Sequence, residues 1–213
     1  MITKRTITAL LLALCVSCAH AAAPAGKVIL VLGDSISAGY GLPAGTGWVT
    51  LLQNRLTAAH YSYSAVNASI SGDTTAGGRA RLDALLAQHH PAIIIIELGG
   101  NDGLRGTNVD AMRGNLDAMI GAAQKAGSKV LLVGMRMPPN YGPVYTHDFE
   151  QAYVIVAKQQ KIALLPFLLA PIAGQREAFQ ADRAHPVAAA QPKMLDTVWR
   201  ELKPMLDTAT KTP

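Results

Sequence analysis

Ala92-Ile93-Ile94-Ile95-Ile96-Glu97-Leu98 is the stretch that decides the fold. Four consecutive isoleucines favour an extended chain, because β-branched side chains fit a pleated surface. The run does not alternate apolar with polar residues, so both faces of the strand are apolar. Strands of that kind belong to parallel sheets covered by helices on each side. Such a sheet requires strands and helices to alternate along the chain, and the flanking sequence does so. Upstream, Lys27 to Leu32 is a short apolar run ending at a glycine, and Tyr63 to Ala68 is another strand candidate. Downstream, Lys129 to Gly134 and residues 161–166 complete a set of five.

Helical periodicity fills the gaps. Trp48, Val49, Leu52 and Leu56 predict a helix over about 46–59. Arg81, Leu82, Leu85 and Leu86 predict one over 74–88, weakened at Gly77 and Gly78 by about 1 kcal/mol each relative to alanine. Val109, Met112, Leu116, Met119 and Ala123 mark a third, and a fourth is expected near 147–159. Met194, Val198 and Leu202 mark the last, bent or ended by Pro204. The order βαβαβαβαβα predicts a parallel sheet with helices on both faces. The chain has 213 residues, of which half are hydrophobic and 15% are charged. That is too apolar for disorder and suits one domain. The net charge of +5 is not gathered into any run of Lys and Arg that would suggest nucleic acid.

The beginning of the chain reads as an address. Lys4 and Arg5 precede an apolar run from Ile7 to Val16, followed by Ala19-His20-Ala21 with small residues where signal peptidase reads. The apolar run is shorter than the ~20 residues a membrane span needs. The expectation is a signal peptide over 1–21, cleaved near Ala21 or Ala23, and a periplasmic or secreted domain over 22–213. Cleavage lowers the net charge from +5 to +3 and removes both cysteines, Cys15 and Cys18. Thiol chemistry, disulfides and Cys-ligated zinc then leave the mature chain. Cys18 would be the lipidated residue of a lipoprotein, but Cys15-Val16-Ser17 before it matches a lipobox poorly.

Ligands of such sheets bind beyond the carboxyl ends of the strands. After the first strand comes Gly33-Asp34-Ser35-Ile36-Ser37-Ala38-Gly39-Tyr40-Gly41. A serine held in a rigid turn can be a nucleophile, though serines also merely shape turns. After the second comes Ser69-Ile70-Ser71-Gly72-Asp73-Thr74. Gly72 would let backbone approach a ligand, and Asp73 is expected to cap the next helix. After the third, Gly99 and Gly100 precede Asn101, whose amide can donate to a substrate oxygen or close an Asx-turn. Near the end, Asp182-Arg183-Ala184-His185-Pro186 places a carboxylate three residues before a histidine, where it can hold one ring nitrogen and leave the other as a base. His60, His89, His90 and His147 fall at expected helix ends without such a partner. Each fragment is weak alone. Together they supply a nucleophile, a base, an orienting acid and oxyanion donors.

These four blocks resemble those of the SGNH (GDSL) hydrolases. Gly33 to Gly41, Leu98 to Gly106, Pro139-Asn140-Tyr141-Gly142 and His185-Pro186 with Ala190-Gln191-Pro192 are similar to the thioesterase I, lysophospholipase and arylesterase group within that family. The resemblance spans about residues 27–205. It implies a three-layer α/β/α, flavodoxin-like fold with a five-stranded parallel sheet. It implies a triad of Ser35 as nucleophile, His185 as base and Asp182 as orienting acid. It implies an oxyanion hole from the Ser35 and Gly72 N–H groups and the Asn101 side chain. Gly106, Met137 and Tyr141, on loops that shape the acyl groove in the related group, are the expected substrate-binding residues. Met137 could equally be core and Tyr141 a surface ring.

The activity implied is hydrolysis of acyl esters and thioesters through an acyl-enzyme, with no metal or other cofactor. The expected partner is a small-molecule ester or thioester, with no nucleic acid, no stable membrane anchor and a monomeric protein. Competing readings are a carbohydrate or small-ester deacetylase on the same fold, and a non-catalytic acyl-binding protein. The 5% aromatic content gives little support to stacked sugars. An α/β-hydrolase lipase would want Gly-x-Ser-x-Gly, and Ser37 stands where the second glycine belongs. A phosphate-binding loop of the Gly-x-x-x-x-Gly-Lys-Ser/Thr type is absent.

Overall fold

The computed structural model describes residues 26–206. The expected signal peptide lies outside them. Five parallel strands are β1 (Lys27–Gly33), β2 (Tyr63–Asn67), β3 (Ile93–Glu97), β4 (Lys129–Val133) and β5 (Ala163–Leu165), in the spatial order β2-β1-β3-β4-β5. β1 and β3 are central, with Val31 opposite Ile95 and Gly33 opposite Glu97. Ile93 to Ile96 are at most 1% exposed. Full burial of such a side chain stabilises by roughly 1.5–3 kcal/mol, so this strand anchors the core on both faces.

The main helices are α2 (Trp48–Ala58), α3 (Thr75–His89), α5 (Val109–Lys125), α6 (Pro143–Gln160) and α7 (Gln191–Leu202). Two four- and five-residue helices, α1 (Ser35–Ala38) and α4 (Gly100–Leu104), follow β1 and β3 directly. α2 packs on α7 to form one layer, and α3, α5 and α6 pack in succession to form the other. The three-layer α/β/α arrangement is therefore the one the alternating pattern predicts. Among the described residues, no helix is long and apolar enough to cross a membrane.

Three boundaries differ from the sequence reading. α6 begins at Pro143 rather than near 147, because proline suits the first helical position, where its missing N–H costs nothing. β5 begins at Ala163 rather than 161, because Lys161 takes a left-handed conformation (φ 53°) that closes α6 first. Asp73 does not cap α3. Thr74 does, accepting from Gly77 N–H, while Asp73 accepts from Thr74 N–H and pairs with Arg81. Pro204 ends α7 as expected, within a 3-10 turn over Lys203–Met205.

β1 sends the chain outward to β2 on one side, and β3 lies on its other side. The connections after β1 and β3 thus diverge, and a crevice opens at the carboxyl ends of the two strands. The segments after β1, β2 and β3 all border it.

Candidate active site

The crevice is built on close backbone approach. Gly33, the last residue of β1, cannot carry a side chain: a Cβ would sit 2.7 Å from Ser37 Cβ and 2.9 Å from Glu97 Oε2. Asp34 then caps α1 by accepting from Ile36 N–H at 3.0 Å. Ser35 follows as the first residue of the helix. Its Oγ lies 2.8 Å from His185 Nε2, and His185 Nδ1 lies 2.7 Å from Asp182 Oδ2. The structure thus brings together the three residues named from sequence, across 150 positions of chain.

Asp182 is tied down by its own loop. Its Oδ1 accepts from Ala184 N–H at 3.0 Å and from His185 N–H at 3.1 Å. The Ala184 N–H first, then the His185 ring and N–H, hold its carboxyl down at about 2, well below the usual carboxylate range. An ionised acceptor at Nδ1 fixes the imidazole tautomer: Nδ1 carries the proton, and Nε2 is left to accept from the Ser35 hydroxyl. The loop is fixed in turn by an antiparallel bridge between Phe179 and Pro186, with Gln180 N–H donating to His185 O at 2.8 Å. The Tyr40 ring lies 4.6 Å from the His185 ring. Of the other histidines, His89 ends α3 and His90 closes it in a left-handed conformation, while His147 lies inside α6 because that helix starts early.

Beside Ser35, neither the Ser35 N–H nor the Gly72 N–H donates to another group among the described residues. Gly72 has φ 81°, and a Cβ there would meet nothing within 4 Å. Its glycine is needed for the left-handed turn, not for tight approach. Arg81 braces this loop, donating from Nε to Asp73 Oδ2 at 2.9 Å and from Nη1 to Ala68 O. Asn101 Nδ2 donates to Asp34 Oδ2 at 3.0 Å and to Asp73 O at 2.9 Å. The amide is thereby oriented between the β1 and β2 loops, close to Ser35.

Two buried acids lie behind the site, and the sequence reading assigned neither. Asp34 is 3% exposed, and burial pushes its carboxyl up to about 6 against the pull of the Ile36 N–H and Asn101. Glu97 is fully buried at the end of β3 and accepts from the Ser37 hydroxyl at 2.6 Å. Burial, then the charge of Asp34, push it well above the carboxylate range. An acid inside an otherwise apolar strand was the available signal for Glu97.

Ser35, Asn101 and His185 open onto a cavity of about 460 Å³. Its apolar walls include Ile36, Leu104, Met135, Met137, Leu169 and Phe179. Met137 is both buried and a wall residue. Gly106 and Tyr141, the other two expected substrate-binding residues, do not line this cavity. Gly106, at φ 65°, turns the chain out of α4 toward a separate cleft between the starts of α5 and α6. The Tyr141 hydroxyl donates to Leu104 O at 3.3 Å, so Tyr141 supports a wall residue from outside.

Comparisons with known proteins find a matching family and similar proteins. A model of the GDSL-like lipase/acylhydrolase family matches residues 31–191. The chain is 54% identical over 182 residues to Esterase TesA of Pseudomonas aeruginosa, covering 85% of this chain and 90% of that one. It is 40% identical over 185 residues to Thioesterase 1/protease 1/lysophospholipase L1 of Escherichia coli K12, covering 87% and 88%. Among solved structures, the crystal structure of TesA matches with a TM-score of 0.83 at 54% identity, covering 84% of this chain and all of that one. The esterase EstA from Pseudoalteromonas sp., inhibited by monoethylphosphonate, matches with a TM-score of 0.80 at 41% identity, covering 84% and 97%.

Proposed function

The chain belongs to the GDSL-like lipase/acylhydrolase family and is an ester hydrolase, and on that premise we propose that it cleaves acyl esters and thioesters through an acyl-enzyme on Ser35. The observation that carries the reading is the continuous Asp182–His185–Ser35 hydrogen-bond chain, at 2.7 and 2.8 Å, at the mouth of an apolar cavity. A serine hydroxyl attacks poorly until a base takes its proton. His185 Nε2 takes that proton as Oγ bonds to the acyl carbon, and Asp182 stabilises the imidazolium. The carbonyl oxygen becomes an oxyanion facing the Ser35 N–H, the Gly72 N–H and Asn101 Nδ2. The two N–H groups are free to donate, whereas Asn101 must share or release one of its present bonds. Collapse returns the proton from His185 to the departing alcohol or thiol. Water then attacks the acyl-enzyme by the same route in reverse roles and releases the carboxylic acid.

The apolar walls favour acyl chains over acetyl groups on polar carbohydrate, which sets the deacetylase reading second. The reading extends to a single catalytic domain over residues 22–213, acting as a monomer in the periplasm or outside the cell after leader removal near Ala21 or Ala23. The charged, apolar and small-residue order at the start of the chain supports that placement.

The test compares the mature protein with Ser35→Ala on p-nitrophenyl esters of increasing chain length. Turnover should rise with acyl length up to the reach of the cavity. Ser35→Ala should lose on the order of 10⁶ in kcat with an unchanged circular dichroism spectrum. Wild-type rates in a clean Ser35→Ala preparation would overturn the assignment.

A further inference from the structure

Arg136 and Arg183 line the cavity and Arg105 reaches the loop of its Gly72 wall, and the three arginines are not equivalent. Arg105 Nη2 donates to Gly72 O at 3.0 Å. Arg136 lines the cavity, but its Nε pairs with Glu150 Oε2 at 3.2 Å and its guanidinium lies 5.1 Å over the Phe167 ring. Both are committed within the protein. Arg183 also lines the cavity and is exposed, and its side chain makes no hydrogen bond or ion pair among the described residues. The adjacent Asp182 carboxylate pairs with His185 and accepts from the Ala184 and His185 N–H groups, and makes no ion pair with Arg183 among the described residues.

The backbone at Arg183 sharpens the point. Its φ is 62°, left-handed, between the acid and the base of the triad. A residue with a Cβ is disfavoured there, and glycine would make the same turn freely. The turn alone therefore does not account for an arginine. Position suggests what the side chain meets. His185 must reach the leaving-group atom to protonate it, so the leaving group lies on the side of the crevice formed by residues 182–185, and Arg183 stands on that side.

We propose that Arg183 is a specificity-determining residue that selects substrates whose leaving group carries a phosphate. This rests on the acyl-enzyme reading given above. A guanidinium offers paired donors that match phosphate oxygens, and an unpaired one at the rim both attracts an anionic substrate and holds its leaving group beside His185. The phosphate could belong to a lysophospholipid headgroup or to a phosphorylated thiol carrier, since the chemistry recognised is the same.

Two substrate pairs with one acyl chain separate these sources. Lauroyl lysophosphatidylglycerol is set against monolauroylglycerol, and lauroyl-CoA against the neutral thioester of lauric acid with N-acetylcysteamine. The variants are Arg183→Gly, which keeps the turn and removes the charge, and Arg183→Lys, which keeps the charge. Arg183→Gly should lower kcat/KM for at least one charged substrate by roughly fivefold, the scale of an exposed ionic contact, and leave its neutral counterpart within about twofold. Arg183→Lys should restore most of the loss. The wild-type preference for the charged member should shrink at about 1 M salt, where the screening length is roughly 3 Å. The pair that responds identifies the source. A parallel loss within both pairs would reduce Arg183 to a structural role, and unchanged ratios would dismiss it as a determinant. If wild type turned over neither neutral substrate nor either charged one, the acyl-enzyme reading itself would fall, and this inference with it.

Discussion

Asp34 sits one residue before the nucleophile and touches both the backbone of α1 and the amide of Asn101. An ionised carboxylate accepts both bonds. An asparagine would offer an NH₂ on one side and meet one of these donors with another. Asp34→Asn should therefore lower kcat by roughly tenfold or more, with a smaller change in KM, because the misplaced Asn101 donor matters most in the transition state. The same residue makes a thermodynamic prediction. Its carboxyl rises from 3.8 to about 6 on folding, so the native state binds more protons than the unfolded chain between those values. The Asp34 contribution to stability is then full below about pH 4 and is lost, by up to roughly 3 kcal/mol, as pH rises through 6. Urea midpoints from pH 4 to 7 should show this slope in wild type relative to Asp34→Asn; parallel curves would contradict it. The triad and oxyanion candidates were legible in sequence because they fall in four short blocks, three at strand ends and the fourth, Asp182 to His185, marked by its three-residue spacing. Asp34 and Glu97 were not read as part of the site. Their importance comes from mutual proximity across two strands and from burial, which one-dimensional spacing does not display.

At the level of elements, α4 depends on the turn that starts it. Gly99 has φ 115°, and a Cβ there would lie 2.1 Å from the Tyr153 hydroxyl, which donates to Leu98 O at 2.9 Å. Gly99→Ala should destabilise by roughly 2–4 kcal/mol through overpacking and backbone strain, seen as a melting temperature about 5–15 °C lower. It should also reduce kcat, because Asn101 rides on this turn. A wild-type melting temperature would show that Tyr153 yields freely. Asp102 ties α4 to the start of α3, accepting from Thr75 N–H at 2.8 Å and from the Thr75 hydroxyl at 2.6 Å. The long helices were readable because α2, α5 and α7 carry apolar residues at three- and four-residue spacing. α1 and α4 were not anticipated, since four or five residues are too few to show a period. The early start of α6 was hidden for another reason: Pro143 reads as a loop residue unless it is recognised as a first helical position.

Across the whole molecule, the sheet order sets both stability and function. β1 and β3 are flanked by strands on both sides and by helices on both faces, while β2 and β5 are edges. Backbone amides of β1 and β3 should exchange with solvent only through global unfolding, and those of β2 and β5 faster. Hydrogen exchange followed by mass spectrometry would test this, and equal protection across all five strands would contradict it. The parallel sheet was legible because Ile93 to Ile96 admit no solvent face. The strand order was legible only through the family resemblance and its flavodoxin-like fold, since hydrophobicity does not say on which side of β1 the chain returns. That order also governs when the protein becomes chemically competent. Ser35 emerges early in synthesis, but His185 follows 150 residues later, and its strap docks beside the start of α2, where Trp48 N–H donates to the Gln191 side chain. A partly translated chain therefore carries its nucleophile without its base. The triad is absent by construction until the segment carrying His185 has been made and has folded back onto the end of β1.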